Sequence, residues 1–578
     1  MVRLIIGLAA CAAMVMADVT FNLGGLREDP SQEFAVQING KIIKLATSQE
    51  AYPLWSANVA RVEGPLEYKY VQLGKGGKVE NEEKASRKLP QGALHTPNEF
   101  FDRSTTLYDL PPLPQVFENK LEQNSPFFRG GYIGNLFIEG DEAQWKHINK
   151  GGEEFYPPPI KVSVQYIGAN DNVKIKDVIF NLSGQSSREY AKLAYQMKFP
   201  KKQRLLDLST LKLRNEETDA TMMREKIYVD ILNSLGVPAQ QSAYVRLFFN
   251  GEPVGLFVAV EEMKKHWIKK VLHPGVKGVK PGALWKMNSC CGHEGNLEWL
   301  GPTTKSYVVG DIYKNIVPGN NTKDVLMKDL IQFMAELKNY NPGEFYNDPV
   351  TGKWTWLPTD FDDTFGTSFD GKLGSYKDIP KKNKKGFESP LAQKLIMETP
   401  QIKDRFEEIL KDIVDYVFKL DALSPRLDAY KEMIQEDVAW DRSLQRLSKG
   451  KNEKFTAEDL DKGIDNGVKG GWGIKKWVKE RSEGVQKDLG FKATAGTPPS
   501  ATIVAKANST KSVVGKEEHG TMSSQNDAPA LSSSGNQAEN KGDGKGKKNE
   551  TIMSSAEVLK ATWTTLGVMA ATLAIVAL

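Results

Sequence analysis

The residues best suited to chemistry in this chain lie in one short run, Trp354-Thr-Trp-Leu-Pro-Thr-Asp-Phe-Asp-Asp-Thr-Phe-Gly366. Aromatic and apolar residues lead into it, which predicts a buried strand ending on carboxylates. Asp360 and Asp362 are two apart, so on an extended segment they point to the same side. Two hard oxygen donors arranged in this way suit a divalent cation such as Mg²⁺. Gly366 lets the chain turn sharply afterwards. A D-x-D pair also occurs in solvated acidic turns, and the spacing alone does not choose between the two.

Phosphate chemistry has two glycine-containing stretches to draw on. Arg129-Gly-Gly-Tyr-Ile-Gly134 is rich in glycine but lacks the strand-to-helix context of a P-loop. Gly184-Gln-Ser-Ser-Arg188 lies between two strand patterns, where backbone N–H groups with Ser186 and Ser187 could face phosphate oxygens. Lys198, on the strand that follows, is a phosphate partner by type. Glu225, on the next helix, is placed to hold Lys198 in an ion pair. Each of these charges, taken singly, also reads as surface. Zinc chemistry is not supported, because Cys290, Cys291 and His293 are too close in sequence to chelate together and no second pair accompanies them. No G-x-S-x-G nucleophile elbow occurs, and Lys381–Lys385 reads as a solvated basic loop.

These residues need elements to carry them. Phe34–Ile38 alternates, Asn39-Gly40 marks a hairpin turn and Ile42–Leu45 continues. Tyr52–Trp55 and Leu66–Val71 follow at a spacing that suggests a small sandwich. Trp55, Tyr68 and Tyr70 would serve there either as core or as a sugar-stacking face. Further on, Lys174–Leu182 and Ala194–Phe199 are strand patterns. Asp219 is the expected N-cap of a helix whose apolar face is Met223, Ile227, Ile231 and Leu235. Tyr244–Phe249 and Val254–Val260 flank Asn250-Gly251, a strong hairpin signal. Residues 389–445 read as helical and Ile474–Leu489 as a last helix. The fold class is therefore α+β.

The ends suggest a compartment. Residues 1–17 read as a secretory signal peptide: one arginine, an apolar run, then small residues. At the other end Ser554-Ser555-Ala556, a polar spacer and the apolar run Leu566–Leu578 form the parts of a GPI-attachment signal in residues 554–578, with Ser554 as the attachment residue. Between them, residues 493–553 are rich in Ser, Gly and Lys and lack aromatics. Such a segment cannot offset its chain entropy by burial and reads as a disordered stalk. N-glycosylation sequons stand at Asn181, Asn320, Asn508 and Asn549. The 578 residues hold 77 Lys+Arg and 73 Asp+Glu, a net charge of +4, which supplies no electrostatic reason for a nucleic-acid partner. The three cysteines exclude a disulfide-stapled scaffold. Only the two termini carry long apolar runs, which excludes a polytopic membrane protein.

The order of motifs has a likeness. Gly184–Arg188, Tyr195-Gln-Met-Lys198, Leu213-Arg-Asn215, Asp219, Arg224-Glu-Lys226, Asn250–Leu256, Glu261-Glu262 and Trp356-Leu-Pro-Thr-Asp-Phe-Asp362 with Thr364-Phe-Gly366 together resemble the CotH family of spore-coat-type protein kinases. Pro53-Leu-Trp55, Tyr68–Val71, Asn98–Phe101 and Trp477 with Arg481-Ser482 resemble in particular the surface-anchored CotH proteins of mucoralean fungi, some of which are invasins. The likeness runs from Asp18 to Leu489.

The strand spacing already gives a β-sandwich over 18–120; the likeness implies an atypical kinase-like domain over 126–491 with a helical C-terminal part, and Mg²⁺ and ATP as cofactors. It also implies Asp360 with Asp362 as the metal pair, Lys198 as the ATP lysine and Glu225 as its partner. One departure stands out. The interval Asp329–Asp348 is shortened, and the Asp that would orient an attacking hydroxyl is missing. Asn339 and Asn341 cannot act as a base, so nucleotide binding would outlast efficient transfer. The function implied is a GPI-anchored surface adhesin or invasin toward a host-cell receptor. The alternative is a secretory-pathway kinase acting on a cell-wall or coat protein.

Overall fold

The computed structural model describes residues 17–495, apart from 63–64, 117–124, 153–154, 185, 291–292, 319–322, 339–356, 368–372, 379–392 and 394–396. The signal-peptide region, nearly all of the stalk, Ser554, Asn320, Asn508, Asn549, Asn339 and Asn341 lie outside the described residues. No described helix is long and apolar enough to cross a membrane.

The described part begins with eight strands. These are β1 (Ala17–Gly24), β2 (Glu33–Ile38), β3 (Lys41–Lys44), β4 (Leu54–Val62), β5 (Leu66–Leu73), β6 (Val79–Glu82), β7 (Arg87–Leu89) and β8 (His95–Phe100). One sheet runs β4-β1-β8; the other runs β3-β2-β5-β6 with β7 also paired to β5. Alternation turns Phe21, Leu23, Phe34, Val36, Tyr68 and Tyr70 into a core shared by the two sheets. Asn39-Gly40 makes the β2–β3 turn with both φ values positive, 49° and 75°. Trp55, Tyr68 and Tyr70 are buried in this core, so no sugar-stacking face is made from them.

A closed barrel follows. It is built from β9 (Gly134–Glu139), β10 (Ile160–Ile167), β11 (Asn172–Ser183), β12 (Ala194–Lys198), β13 (Thr210–Arg214), β14 (Ser242–Phe249) and β15 (Glu252–Val260). The strand order is β10-β11-β12-β13-β15-β14-β9. All pairs are antiparallel except β14 with β9. Its interior is filled by residues such as Leu136, Val164, Phe180, Tyr195, Met197, Leu213 and Phe257. Asn250-Gly251 closes the β14–β15 hairpin with φ values of 50° and 89°. Helix α1 (Glu142–Ile148) follows β9, and Trp145 stacks on Phe249 at 4.1 Å.

Helix α2 (Arg224–Ser234) crosses between β13 and β14. It starts later than expected. Asp219 is not its N-cap residue but reaches forward to accept the backbone N–H groups of Thr221, Met223 and Arg224. Orphan N–H groups at a helix start need such an acceptor wherever it comes from.

The connection to the last helices holds α3 (Lys265–Trp267), β16 (Ala283–Met287), the short pair β17 (Ser289–Cys290) and β18 (His293–Glu294), β19 (Tyr313–Pro318) and α4 (Lys323–Lys338). Then come α5 (Pro400–Tyr416), α6 (Leu420–Ser443), α7 (Asp459–Asp465) and α8 (Ile474–Leu489). Their apolar faces pack with α2 against the outer side of β14 and β15, where Tyr244, Leu256, Val258 and Val260 join the largest core.

The eight N-terminal strands dock on the barrel through a short aromatic stack. Phe248 lies 5.0 Å from Phe137 and 5.8 Å from Phe100. Arg103 pairs with Asp437 of α6 at 3.0 Å beside it. The backbone N–H of Asn98 also donates to Ala169 O at 2.7 Å.

The candidate acidic site

The run Asp360-Phe-Asp-Asp-Thr-Phe-Gly366 sorts its residues by polarity. Phe361 and Phe365 turn inward, and Tyr228 of α2 stacks on Phe361 at 4.5 Å. The aspartates are left toward the barrel. Residues 354–356, where the expected strand would start, lie outside the described residues; residues 357–361 have no regular structure, 362–363 and 365–367 form turns, and Asp360 has φ 74°. The two carboxylates converge because the inward phenylalanines fix the turn, not because a strand alternates. Gly366 has φ 73°, and a Cβ there would run into the Trp477 ring.

Both aspartates meet one guanidinium. Arg214, at the end of β13, lies 2.6 Å from Asp360 Oδ1 and 3.2 Å from Asp362 Oδ1. Glu225 stands behind it, fully buried at the start of α2. Its Oε1 is 3.5 Å from Arg214 Nε and accepts from Gln240 Nε2 at 2.7 Å. Its Oε2 accepts the backbone N–H of Phe361 at 2.7 Å. One carboxylate therefore joins the helix, the barrel strand and the acidic turn.

The ion pair expected between Lys198 and Glu225 does not form; Arg214 takes that place. Lys198 is exposed and pairs in register with Thr210, at the far end of β13. A second clamp holds the turn. Asp219 binds Arg224 Nε at 3.2 Å, and Arg224 donates to Thr364 O at 2.8 Å, Phe365 O at 2.9 Å and Trp472 O at 2.6 Å.

Charge at the site is unbalanced toward negative. Burial works to raise the Asp360 carboxyl, but Arg214 and Lys212 outweigh it and hold the group down at about 2. Asp363, exposed beside the pair, is pushed up by partial burial and by Asp362, Asp360 and Asp219. Glu216, next to β13, is 1% exposed, and among the described residues neither of its carboxyl oxygens has a hydrogen bond. Burial first, then Asp362, Glu225 and Asp219, push its carboxyl far up. Like charges crowded in this way favour a cation among them.

The donor chemistry fits Mg²⁺, which takes one or two carboxylates and completes its shell with water and phosphate oxygens. Asp360 and Asp362 would hold it. Among the described residues no group of three or more His, Cys, Asp or Glu side chains converges on one point.

The two glycine stretches part company. Arg129–Gly134 is a packing device: Gly131 abuts the Tyr108 carbonyl, and a Cβ on Gly134 would lie 2.6 Å from the Tyr166 ring. The Gly184–Arg188 stretch leads into a short 3-10 turn, Ser186–Glu189, in the β11–β12 connection. That connection enters β12 at Ala194, the end level with Arg214. Tyr190 within it feels Asp363 electrostatically. Ser186 and Ser187 are thus carried to the acidic end of the barrel. Arg188 instead packs over Tyr156 and donates to Phe155 O. Asn181 is half-buried on β11, its amide 3.3 Å from Gln196.

Sequence reasoning assigned no role to Lys212, Arg214, Glu216, Arg224 or Gln240. A signal for two of them was present: Lys212-Leu-Arg214 places two cations on one face of an otherwise apolar strand.

Comparison with known proteins now bears on this geometry. The family described as CotH kinase protein matches residues 180–348 and 329–481. The chain is 26% identical to Invasin CotH2 of Rhizopus delemar over 574 residues, covering 90% of this chain and 91% of that protein. It is 26% identical to Invasin CotH3 of the same organism over 541 residues, with 82% and 87% covered. Inner spore coat protein H of Bacillus subtilis is 23% identical over 297 residues, 47% of this chain and 80% of that protein. The family match runs from β11 to α8, takes in every residue of the acidic site and spans more than half of the sequence, so the chain belongs to the CotH kinase protein family.

Proposed function

We propose that this chain is a cell-surface protein of the invasin type whose barrel and acidic turn together form a Mg²⁺-dependent nucleotide site of the phosphoryl-transfer class. The observation that carries the site is Glu225, which ties Arg214, the Phe361 backbone and α2 into one unit around Asp360 and Asp362. Phosphoryl transfer depends mainly on positioning and metal charge, and a strand cation, a helix glutamate and a metal aspartate are the parts it uses. Mg²⁺ would neutralise phosphate charge there. The chain's own groups hold the turn (Arg224), set the guanidinium (Glu225) and keep Asp360 ionised (Arg214, Lys212).

The surface role rests on the invasin relatives, similar over most of their length. The secretory and GPI signals read in the sequence would deliver the folded head to the outer leaflet, facing a host-cell receptor. A secretory-pathway kinase acting on a wall or coat protein uses the same site and is distinguished by turnover.

Mg·ATP should raise the melting temperature of the purified protein, and ATP without Mg²⁺ should not, because a ligand of the folded state stabilises by mass action. Asp360→Ala should abolish the shift. A shift indifferent to metal and to Asp360 would remove the nucleotide reading. Purified protein should also block attachment of expressing cells to host cells, and a GPI-specific phospholipase should release the protein from those cells. Unimpaired attachment, or retention after the enzyme, would remove the surface reading or its anchor respectively.

A further inference from the structure

We infer that Lys212, rather than Lys198, is the lysine that receives the phosphates of the bound nucleotide; the inference rests on the Mg·ATP reading of the site. β12 and β13 pair Gln196 with Lys212 and Lys198 with Thr210. Tyr195, Met197, Leu211 and Leu213 fill the barrel interior. Alternation therefore places Gln196, Lys198, Thr210, Lys212 and Arg214 together on the outer face. Arg214 marks the acidic end of that face through its contacts with Asp360 and Asp362. At roughly 3.3 Å per residue, Lys212 stands about 7 Å from Arg214 along the strand, and Lys198, level with Thr210, about 13 Å. Of the two, Lys212 is the one placed to act together with the metal aspartates.

Its surroundings agree. Lys212 is half-buried, and among the described residues its ammonium has no hydrogen-bond or ion-pair partner; its charge is felt by Asp360, Asp362 and Glu225 at longer range. Burial and Arg214 push its pKa down. An ammonium drawn out of water without a fixed partner is costly, and a polyanion arriving there recovers that cost. Gln196 beside it is held by Glu262 at 2.6 Å, and Val260 pairs with it across the other edge, so the flanks of the lysine are set. Asp360 also feels the charge of Lys286 on β16. Lys198, exposed in water, has no such constraint.

The test measures binding of Mg·ATP and of adenosine to the full chain by calorimetry, with the ligand-free melting temperature as the control for folding. Lys212→Met should weaken Mg·ATP by about 10-fold or more and leave adenosine unchanged, since a charge-assisted contact is lost. Lys212→Arg should recover part of the affinity. Lys198→Met should stay within about 3-fold of wild type, as expected for an exposed charge. If Lys212→Met binds as wild type does, or Lys198→Met loses more, while Asp360→Ala still abolishes binding, the lysine assignment falls and the nucleotide reading stands. If wild type binds no Mg·ATP, both fall. Should Lys212→Met not fold, an acyl-phosphate derivative of ATP on the unaltered chain decides. The lysine amine attacks the acyl carbon, the nucleotide phosphate leaves, and peptide mapping locates the amide. Label on Lys212 supports the assignment, and label on Lys198 or Lys286 without Lys212 overturns it.

Discussion

Arg87 and Arg214 both sit among carboxylates, and their surroundings are built to different ends. Arg87, on β7, is enclosed. Its Nε and one terminal nitrogen bind Glu83 at 3.0 and 2.6 Å, its other terminal nitrogen lies 3.4 Å from Glu99, and Phe100 O takes a further N–H at 3.0 Å. Glu99 also accepts the hydroxyls of Tyr68 and Tyr70 at 2.9 and 2.8 Å. Arg214 is enclosed on one side only. Among the described residues its Nε has an ion pair but no hydrogen bond, and Glu216 nearby has both oxygens unbonded; Asp360 at its other end is 62% exposed. A closed charge network fixes a fold. An open one leaves bonding capacity unspent, which a ligand can take up.

The largest expected effect lies on the closed side. Arg87→Met leaves Glu83 and Glu99 buried without their cation, and unfolding experiments should show a loss of about 3–5 kcal/mol. A loss under about 1 kcal/mol would mean that the enclosed network is not what holds the N-terminal sheets together.

On the open side the sign should reverse. Glu216→Gln replaces a carboxyl that no described group satisfies, and should stabilise by about 1–2 kcal/mol at neutral pH. The folded state raises the Glu216 pKa, so it binds the proton more tightly than the unfolded chain. Wild-type stability at this group is then greatest below the unfolded value of about 4.3 and falls as pH rises. The advantage of glutamine should disappear in acid. A destabilised Glu216→Gln protein would show that the carboxylate has a partner after all.

The smallest effect on folding should come from Asp360→Asn. Its carboxylate is mostly exposed, so solvent screening holds its contribution under about 1 kcal/mol. Its folded pKa is depressed to about 2. That contribution is present above the unfolded value of about 3.9 and is lost as pH falls. Acid unfolding of wild type and variant should converge near pH 2. Separate curves there would indicate that Arg214 does not hold Asp360 as described.

Much of the frame could be read in advance. Asn39-Gly40 and Asn250-Gly251 are turns because their backbones adopt positive φ cheaply, and that preference is local. Ile474–Leu489 is helical over the very span its periodicity indicates. The acidic turn was visible as a cluster, although the route by which its carboxylates meet was not. Phe361 and Phe365 do that work by burying against α2, and no spacing rule shows it.

What stayed hidden was pairing. Lys198 and Arg214 are both cations on neighbouring strands, and either could have answered Glu225. The choice belongs to the register of β12 on β13, which sets Lys198 against Thr210 and leaves Arg214 at the end that faces Asp360. Closure of the barrel, with β9 lying parallel to β14, is equally a matter of contacts distant in sequence. Residue types, turn chemistry and periodicity act within a few positions of the chain and are written in order along it. Partners across strands are selected by packing many residues away, so the acidic turn could be read from the sequence while the cation that meets it was settled only when the barrel closed.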